Sequence, residues 1–237
     1  MNQGIYSLSA AMINQLNRVD VISNNLANLN TNGFKEDNLV EGSFNHYLER
    51  LAAEKRTPTK LDTVTNTVPK IDGNFINGIA GSIIETGNEL DFALKHNDTF
   101  FKIQDKNGNK LLTRDGSFKN IGGFLSTFDG NKVLNNDNQP IQIGEGFDTQ
   151  VSIVKTQYVN LNKIGNNNYK INDETKITPI IDNDQFIARG ALEKSNINAV
   201  TAMVAMIDSQ RRLEQEQKAI TGIGEMTEKL LTKIDGR

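Results

Sequence analysis

Apolar residues recur at helical spacing over the first thirty positions of the chain. The positions three or four residues apart are Ile5, Leu8, Met12, Leu16, Val19, Ile22, Leu26 and Leu29. This spacing predicts one amphipathic helix of roughly seven turns. Polar residues, among them Asn14, Asn17, Arg18 and Asn25, lie on the opposite face, which we expect to be solvated.

A run of polar residues marks the end of this helix. Asn30, Thr31 and Asn32 favour hydrogen bonds from their side chains to the nearby backbone over helical bonds. Gly33 follows, and glycine readily adopts the left-handed geometry of a helix C-cap. We therefore expect the helix to end near position 30.

Two different patterns occupy the middle of the chain. Residues 36–70 mix charges with threonines and prolines, which is typical of an extended linker, and Phe44, Tyr47, Leu48 and Leu51 could form a short helix within them. From residue 71 the apolar period becomes two and glycines separate short runs. Residues 71–192 are therefore predicted to form an all-β domain of short antiparallel strands, with a hairpin turn at Asn107-Gly108.

Helical spacing returns near the C-terminus. Ile197, Val200, Val204 and Ile207 recur at three- and four-residue steps, and Ser195 or Asn196 is the expected N-cap. The predicted fold class is α+β, with paired, coiled-coil-like terminal helices and an inserted β domain. Its parts are an N-terminal helix (1–35), a linker (36–70), the β domain (71–192) and a C-terminal helix (193–237).

Long helices of this kind are marginally stable alone and need a partner surface. The two terminal helices can cover one another, and neighbouring copies can cover further apolar residues. We therefore expect the eight apolar positions of the first helix, together with Ile197, Val200, Val204 and Ile207, to form a subunit interface.

Composition narrows the classes of function. The net charge of −3 and the pI of about 5.5 give no positive electrostatic potential that would attract nucleic acid or anionic lipid. No apolar stretch reaches the length of a membrane span, and no secretory signal pattern opens the chain. The 37% hydrophobic content and the mean hydropathy of −0.47 favour extended or layered parts over one compact globule.

Residue patterns that carry chemistry are not found. His46 and His96 have no metal-ligand spacing, and the chain has no cysteine. Residues 105–110 resemble the start of a calcium loop, but Lys110 stands where glycine is needed and Gly116 where a bidentate glutamate is needed. No glycine-rich phosphate loop precedes a helix. We expect no catalytic residues, no metal site, no cofactor and no enzymatic activity.

The stretch Ser23–Lys35 resembles the N-terminal signature of the bacterial flagellar rod and hook proteins. The residues that carry this resemblance are Ser23, Asn24, Asn25, Ala27, Asn28, Asn30, Thr31 and Gly33. Asn32 departs from the pattern, because many members have proline there. Two later stretches are also similar to the family, namely Thr86–Ile143, with its Thr113-Arg114-Asp115-Gly116 motif, and Leu192–Ile220.

This resemblance implies a structural subunit of the flagellar basal-body rod. Such a subunit self-assembles into a helical tube that encloses the export channel and transmits torque from motor to hook. The implied partners are other copies, other rod and hook subunits and the flagellar type III export apparatus, without nucleic acid or a membrane span. The implied location is the periplasmic rod of the basal body, reached without a cleaved signal peptide.

Two alternatives remain open from the sequence. One is an axial protein of the distal rod or hook type within the same family. The other is a secreted, oligomeric β-domain binding module. Assembly distinguishes these classes, because an axial subunit polymerises whereas a binding module recognises a ligand as a small oligomer.

Overall fold

The computed structural model describes residues 2–42, 70–171, 173–180 and 185–235. The predicted short helix around Phe44, Tyr47, Leu48 and Leu51 lies outside the described residues, as does His46. Most of the predicted linker, from residue 43 to residue 69, lies outside them as well.

The chain is α+β, with a helix at each end and antiparallel strands between them, as the sequence predicts. Helix α1 spans Asn2–Ala27 and helix α2 spans Ala199–Asp235. The described residues divide into two compact units. The helical unit comprises Met1–Leu26, Asp37–Phe75 and Ala199–Arg237, and the β unit comprises Ala27–Glu36 and Ile76–Asn198. The residues that follow α1, as far as Glu36, therefore belong to the β unit.

The helical unit contains α1, α2 and a two-stranded sheet. The strands of this sheet are β1 (Asp37–Gly42) and β2 (Lys70–Ile76), whose last residue belongs to the β unit. No helix among the described residues is both long enough and apolar enough to cross a membrane.

Asn25 corrects the expectation of a solvated polar face on α1. Its side chain is only 4% exposed. Its Nδ2 donates to the carbonyl oxygen of Asp37 at 2.8 Å, and its Oδ1 accepts from the Asp37 amide at 3.0 Å. One amide side chain thus pairs both backbone groups of the first residue of β1. The sequence expectation was wrong because spacing shows which residues are polar, and not which of them find a buried partner.

We expect Asn25→Ala to destabilise the helical unit by about 1–3 kcal/mol, because two backbone groups of Asp37 lose their partner. The measurement is thermal unfolding followed by the helical circular dichroism signal. Asn17→Ala is the matched control, since Asn17 is exposed on the same helix and gains the same helix propensity. Equal melting temperatures for the two variants would contradict this prediction.

The β unit is built around one nine-stranded antiparallel sheet. Its main strand order is β11-β12-β6-β5-β9-β8-β7, with β10 beside β5 and β13 beside β10. The strands are β5 (Thr99–Gln104), β6 (Lys110–Thr113), β7 (Lys119–Ile121), β8 (Phe124–Ser126), β9 (Lys132–Val133), β10 (Ile153–Lys155), β11 (Leu161–Gly165), β12 (Asn168–Ile171) and β13 (Thr178–Ile180).

Two short ladders complete this unit and bring in the end of the β sequence. Strand β14 (Ile187–Arg189) pairs with β4 (Phe92–Leu94), and β15 (Ala191–Glu193) pairs with β3 (Ile83–Glu85). The three residues of β15 are buried, whereas those of β3 are exposed.

Period-two alternation explains why the sheet has apolar side chains on both faces. In β5, Phe101 and Ile103 pack in the larger cluster, whereas Phe100 packs in a second cluster with Tyr169. Strand β10 alternates in the same way, with Ile153 in the larger cluster and Val154 in the smaller one. Successive side chains of a strand point to opposite faces, so both faces of the central strands are buried.

The predicted hairpin turn at Asn107-Gly108 is confirmed. It joins β5 to β6, which pair in register from Phe101 with Thr113 to Gln104 with Lys110. The Asp105 carboxylate accepts hydrogen bonds from the amides of Asn107 and Asn109, both at 2.8 Å. The carboxylate therefore stabilises the turn.

The start of α2 corrects a second expectation. The helix begins at Ala199, so its preceding residue is Asn198 rather than the predicted cap Ser195 or Asn196. The side chain of Asn196 is used elsewhere: it accepts from the Glu36 amide and donates to the carbonyl oxygens of Asn77 and Ile79.

Candidate functional site

The segment that follows α1 is bound along the β unit by backbone hydrogen bonds. The amide of Gly33 donates to the Glu193 carbonyl at 2.7 Å, and the amide of Asn196 donates to the Phe34 carbonyl at 3.4 Å. The amide of Asn77 donates to the Glu36 carbonyl at 2.8 Å. Residues 33–36 are thereby held between two other stretches of the unit.

Side chains secure the same segment. Phe34 is buried, and the Lys163 ammonium lies 3.7 Å from the centre of its ring. Lys163 also donates to the Lys35 carbonyl at 3.1 Å, and Asn167 donates to the Asn32 carbonyl at 2.9 Å. The segment is therefore part of the fold of the β unit.

Three buried charges meet at the centre of this contact, and we call Lys35, Arg114 and Glu193 the motif junction. The Lys35 ammonium is 2.7 Å from Glu193 Oε1. The Arg114 guanidinium donates to Glu193 Oε2 through Nε at 2.8 Å and through Nη2 at 2.6 Å. The three side chains are 0–1% exposed. Cations from two distant parts of the chain therefore share one carboxylate.

Backbone groups complete the hydrogen bonding of the junction. The ammonium of Lys35 also donates to the Ile79 carbonyl at 2.7 Å, and Glu193 Oε1 accepts from the Gly81 amide at 2.9 Å. Arg114 donates to four further backbone carbonyls, those of Leu94, His96, Asn97 and Thr99. A buried ionic cluster with this number of hydrogen bonds fixes the register of every segment that supplies a partner.

The electrostatics of the junction are asymmetric, because two cations share one anion. Burial and, to a smaller extent, the charge of Arg114 lower the pKa of Lys35 from its ordinary value of 10.5 to about 8, against the opposing effect of Glu193. Tyr158 lies beside the junction, and its ring centre is 5.1 Å from that of Phe100. Burial raises the pKa of the Tyr158 hydroxyl.

The other predicted family-motif residues lie along α1 and the turn after it. Ser23 donates to the Val19 carbonyl at 2.7 Å, and its Oγ lies 3.9 Å from the sulfur of Met206 in α2. Thr31 donates to Asn28 through its amide and its hydroxyl. The exposed members are Asn24, Ala27 and Asn30.

The predicted interface residues do not all lie in one unit. Most of those on α1 are half-buried in the helical unit, whereas Leu29 lies in the β unit. Ile197 is 8% exposed and also belongs to the β unit. In α2, Val200 is 70% exposed, Val204 54% and Ile207 48%.

The motif junction itself was not predicted from the sequence, in which its members belong to three separate motifs. The available signal was that two of the charged residues directly follow a large apolar residue: Lys35 follows Phe34, and Glu193 follows Leu192. His96 contributes its carbonyl to Arg114, while its ring packs on Phe186 at 4.7 Å. The part of the chain that the structure describes contains no group of three His, Asp or Glu side chains able to hold a metal ion.

Family models match three separate parts of the chain. The model described as "Flagella basal body rod protein" matches residues 5–35, "Flagellar hook protein FlgE/F/G D1 domain" matches 96–165, and "Flagellar basal body rod FlgEFG protein C-terminal" matches 188–233. Each matched part supplies one member of the motif junction. Together with the fold, these three matches define the class of the protein, an axial protein of the bacterial flagellum.

Comparison with individual proteins identifies the family. The chain is 30% identical over 263 residues to the flagellar basal-body rod protein FlgG of Buchnera aphidicola subsp. Baizongia pistaciae, covering 94% of this chain and 95% of that protein. It is 28% identical over 225 residues to the flagellar basal-body rod protein FlgF of Rhizobium meliloti, covering 87% of each. The chain belongs to the flagellar basal-body rod protein family, and its function is that of a structural rod subunit.

A third relative shows that the similarity extends along the full chain. The flagellar hook-basal body complex protein FlhO of Bacillus subtilis is 25% identical over 271 residues, which cover 99% of both chains. The relatives therefore match both terminal helices as well as the β unit.

Proposed function

We propose that copies of this chain pack through their terminal helices into a helical tube, which encloses the export channel and transmits torque from motor to hook. The observation that carries this proposal is an exposed apolar stripe on α2. Val200, Met203, Val204 and Ile207 are each about half exposed or more. Their spacing places them on one side of the helix.

Helix α2 has a second apolar side, which is covered within the helical unit. Its covered or half-covered residues are Ala202, Met206, Ser209, Leu213 and Ile220. At about 100° per residue, this row faces away from the Val200–Ile207 stripe. A helix with apolar residues on two sides is suited to two partner surfaces, and within the part of the chain that the structure describes the Val200–Ile207 side stays largely exposed. A neighbouring subunit supplies the second.

The two helices are proposed to pair with each other as well as with neighbours. The contact between Ser23 and Met206 supports a coiled-coil-like arrangement of α1 and α2 within one helical unit. Leu16 is 42% exposed on α1 and offers a further contact to a neighbour. Repetition of one such heterologous contact generates an open helical array rather than a closed ring.

The wider role follows from membership of the rod family. The partners we propose are copies of this chain, other rod and hook subunits, and the flagellar type III export apparatus. The proposed location is the periplasmic rod of the basal body. The role is structural rather than catalytic, with α1 and α2 in the inner layer and the β unit in the outer layer.

We also propose a position within the rod. The stretch Glu225–Leu231 is similar to the corresponding stretch of proximal rod subunits, with distal rod subunits as the next alternative. Electron microscopy of basal bodies from a deletion strain tests this position. If the chain is a proximal subunit, its deletion is expected to arrest the rod close to its inner end. If it is a distal subunit, the deletion is expected to leave a longer rod stub.

The assembly proposal predicts that Val204→Glu abolishes motility without unfolding the subunit. A charge within the exposed stripe blocks contact with a neighbour, while an exposed substitution changes stability by only about 0.5 kcal/mol. The measurements are swimming in soft agar by a complemented deletion strain, electron microscopy of its basal bodies, and thermal unfolding of the purified chain.

Val204→Ile is the matched control, because it keeps the stripe apolar and is expected to restore swimming. Normal rods built from Val204→Glu subunits would contradict the proposed interface. A deletion strain that swims normally would favour the alternative class, a secreted β-domain binding module, since such a module has no part in motility.

A further inference from the structure

The motif junction holds one positive charge more than it neutralises. Lys35 and Arg114 are both cationic, and Glu193 is their shared carboxylate. All three side chains are almost completely inaccessible to water, so the excess charge is not screened by solvent. Such a site favours a state in which one cation gives up its proton, and Arg114 cannot do so because a guanidinium stays protonated in proteins.

The hydrogen bonds of Lys35 permit this loss. Its nitrogen is 2.7 Å from each of two acceptors, Glu193 Oε1 and the Ile79 carbonyl. An ammonium has three N–H groups, and a neutral amine still has two. Deprotonation therefore leaves both hydrogen bonds in place, while Arg114 and Glu193 remain as a balanced ion pair with two hydrogen bonds.

Among the described residues, Glu193 is the carboxylate that acts on the Lys35 ammonium. Lys163 contacts the Lys35 backbone and adds positive charge, and Lys194 points to Asn32 Oδ1 at 3.4 Å. The Glu36 carboxylate accepts from the Asn77 side chain at 3.1 Å. Tyr158 is a further titratable group beside the cluster, and His96 meets Arg114 through its carbonyl oxygen. Asp98, which raises the pKa of Tyr158, pairs with Lys155 at 3.0 Å.

We propose that the motif junction is a proton-linked clamp: Lys35 releases its proton in mildly alkaline solution, and the β unit becomes more stable as a result. This inference concerns the fold of the β unit alone and does not rest on the proposed assembly.

The direction follows from the linkage between proton binding and folding. Lys35 has a pKa of about 8 in the folded chain and an ordinary value of 10.5 when unfolded. Between these values the unfolded chain binds more protons than the folded chain, so stability rises with pH. Tyr158 acts in the opposite direction at higher pH, because its raised pKa makes the folded chain hold a proton that the unfolded chain loses above pH 10.

The test is urea unfolding of the full chain from pH 7 to pH 10. The chain has four tyrosines, and a Tyr6→Phe/Tyr47→Phe background restricts the fluorescence signal to Tyr158 and Tyr169 in the β unit. We expect the folding equilibrium constant to increase on the order of 50-fold over this range. In Lys35→Met we expect this increase to disappear, whereas Lys170→Met, which removes an exposed lysine of the same unit, retains it.

A second measurement decides the proposal even if Lys35→Met does not fold. With 13C at the lysine Cε positions of the otherwise unaltered chain, one resonance is expected to titrate about two pH units before the others, with a midpoint near 8. Flat or falling stability between pH 7 and pH 10 would overturn the clamp. So would titration of all lysine resonances together near pH 10.

Discussion

Glu193→Gln is expected to destabilise the β unit by about 3–5 kcal/mol, the range for removing one partner of a buried ion pair. The substitution preserves the shape of the side chain, so packing is unchanged and the effect reports on charge. Lys35 and Arg114 then remain as two buried cations with no carboxylate between them.

Hydrogen bonding adds to the effect of the charge. Both carboxylate oxygens of Glu193 accept from donors: Oε1 from Lys35 and Gly81, and Oε2 from Arg114. A glutamine places an NH2 group at one of these two positions. In either orientation the NH2 group faces N–H donors, so at least one buried contact becomes repulsive.

Urea unfolding in the Tyr6→Phe/Tyr47→Phe background measures this change. Glu145→Gln is the matched control, since Glu145 is exposed in the same unit, and its effect is expected to stay within about 0.5 kcal/mol. Limited trypsin digestion gives an independent reading, because the bond after Lys35 is buried and becomes cleavable when the segment detaches. Similar unfolding midpoints for the two variants would show that the junction does not hold the β unit together.

The elements that could be predicted from the sequence are those whose signals are local. The consecutive apolar residues in Thr99–Gln104 reflect a strand buried on both faces. The Asn107-Gly108 turn needs only the residues from Asp105 to Asn109 to form. The stripe of α1 likewise follows from its own spacing. In each case the pattern and the structure are set by the same few neighbouring residues.

The features that could not be predicted depend on partners far along the chain. Asn25 has the same polarity as Asn17, and only contact with Asp37 makes it a buried residue. Glu193 occupies a strand whose three residues are all buried, which no alternating pattern indicates.

The candidate site could not be predicted either, because its three residues lie far apart in the sequence. Lys35, Arg114 and Glu193 are separated by about eighty residues each, and charged residues in turns and strand ends are ordinarily solvated. The resemblance to the rod family marked all three motifs but did not indicate that they meet. Each of the three stretches that match the family supplies one charge to the same contact.

Gly33→Ala is expected to destabilise the β unit by about 2–5 kcal/mol, because the position combines a left-handed backbone with a close contact. Gly33 has a φ of 66°, which costs a residue with a Cβ about 1–2 kcal/mol. A Cβ at this position would lie 2.3 Å from the Arg114 carbonyl oxygen. Relieving that overlap adds about 1–3 kcal/mol.

The overlap is costly because neither side can move freely. The Gly33 amide is bonded to the Glu193 carbonyl, and the side chain of Arg114 is held by Glu193 and by four backbone carbonyls. Any shift that relieves the contact therefore lengthens hydrogen bonds of the motif junction. The substitution acts on the same buried cluster as Glu193→Gln, but through the backbone.

Gly87→Ala separates the two contributions. Gly87 also has a left-handed backbone, with a φ of 71°, and lies in the same unit, but a Cβ at this position would meet open space within 4 Å. Gly87→Ala should therefore lower the free energy of unfolding only by the backbone contribution of about 1–2 kcal/mol. Urea unfolding of Gly33→Ala and Gly87→Ala in the Tyr6→Phe/Tyr47→Phe background measures the difference between their free energies of unfolding. If both alanines lower stability equally, the close approach of Gly33 to Arg114 contributes nothing, and the N-terminal segment is held by its other contacts.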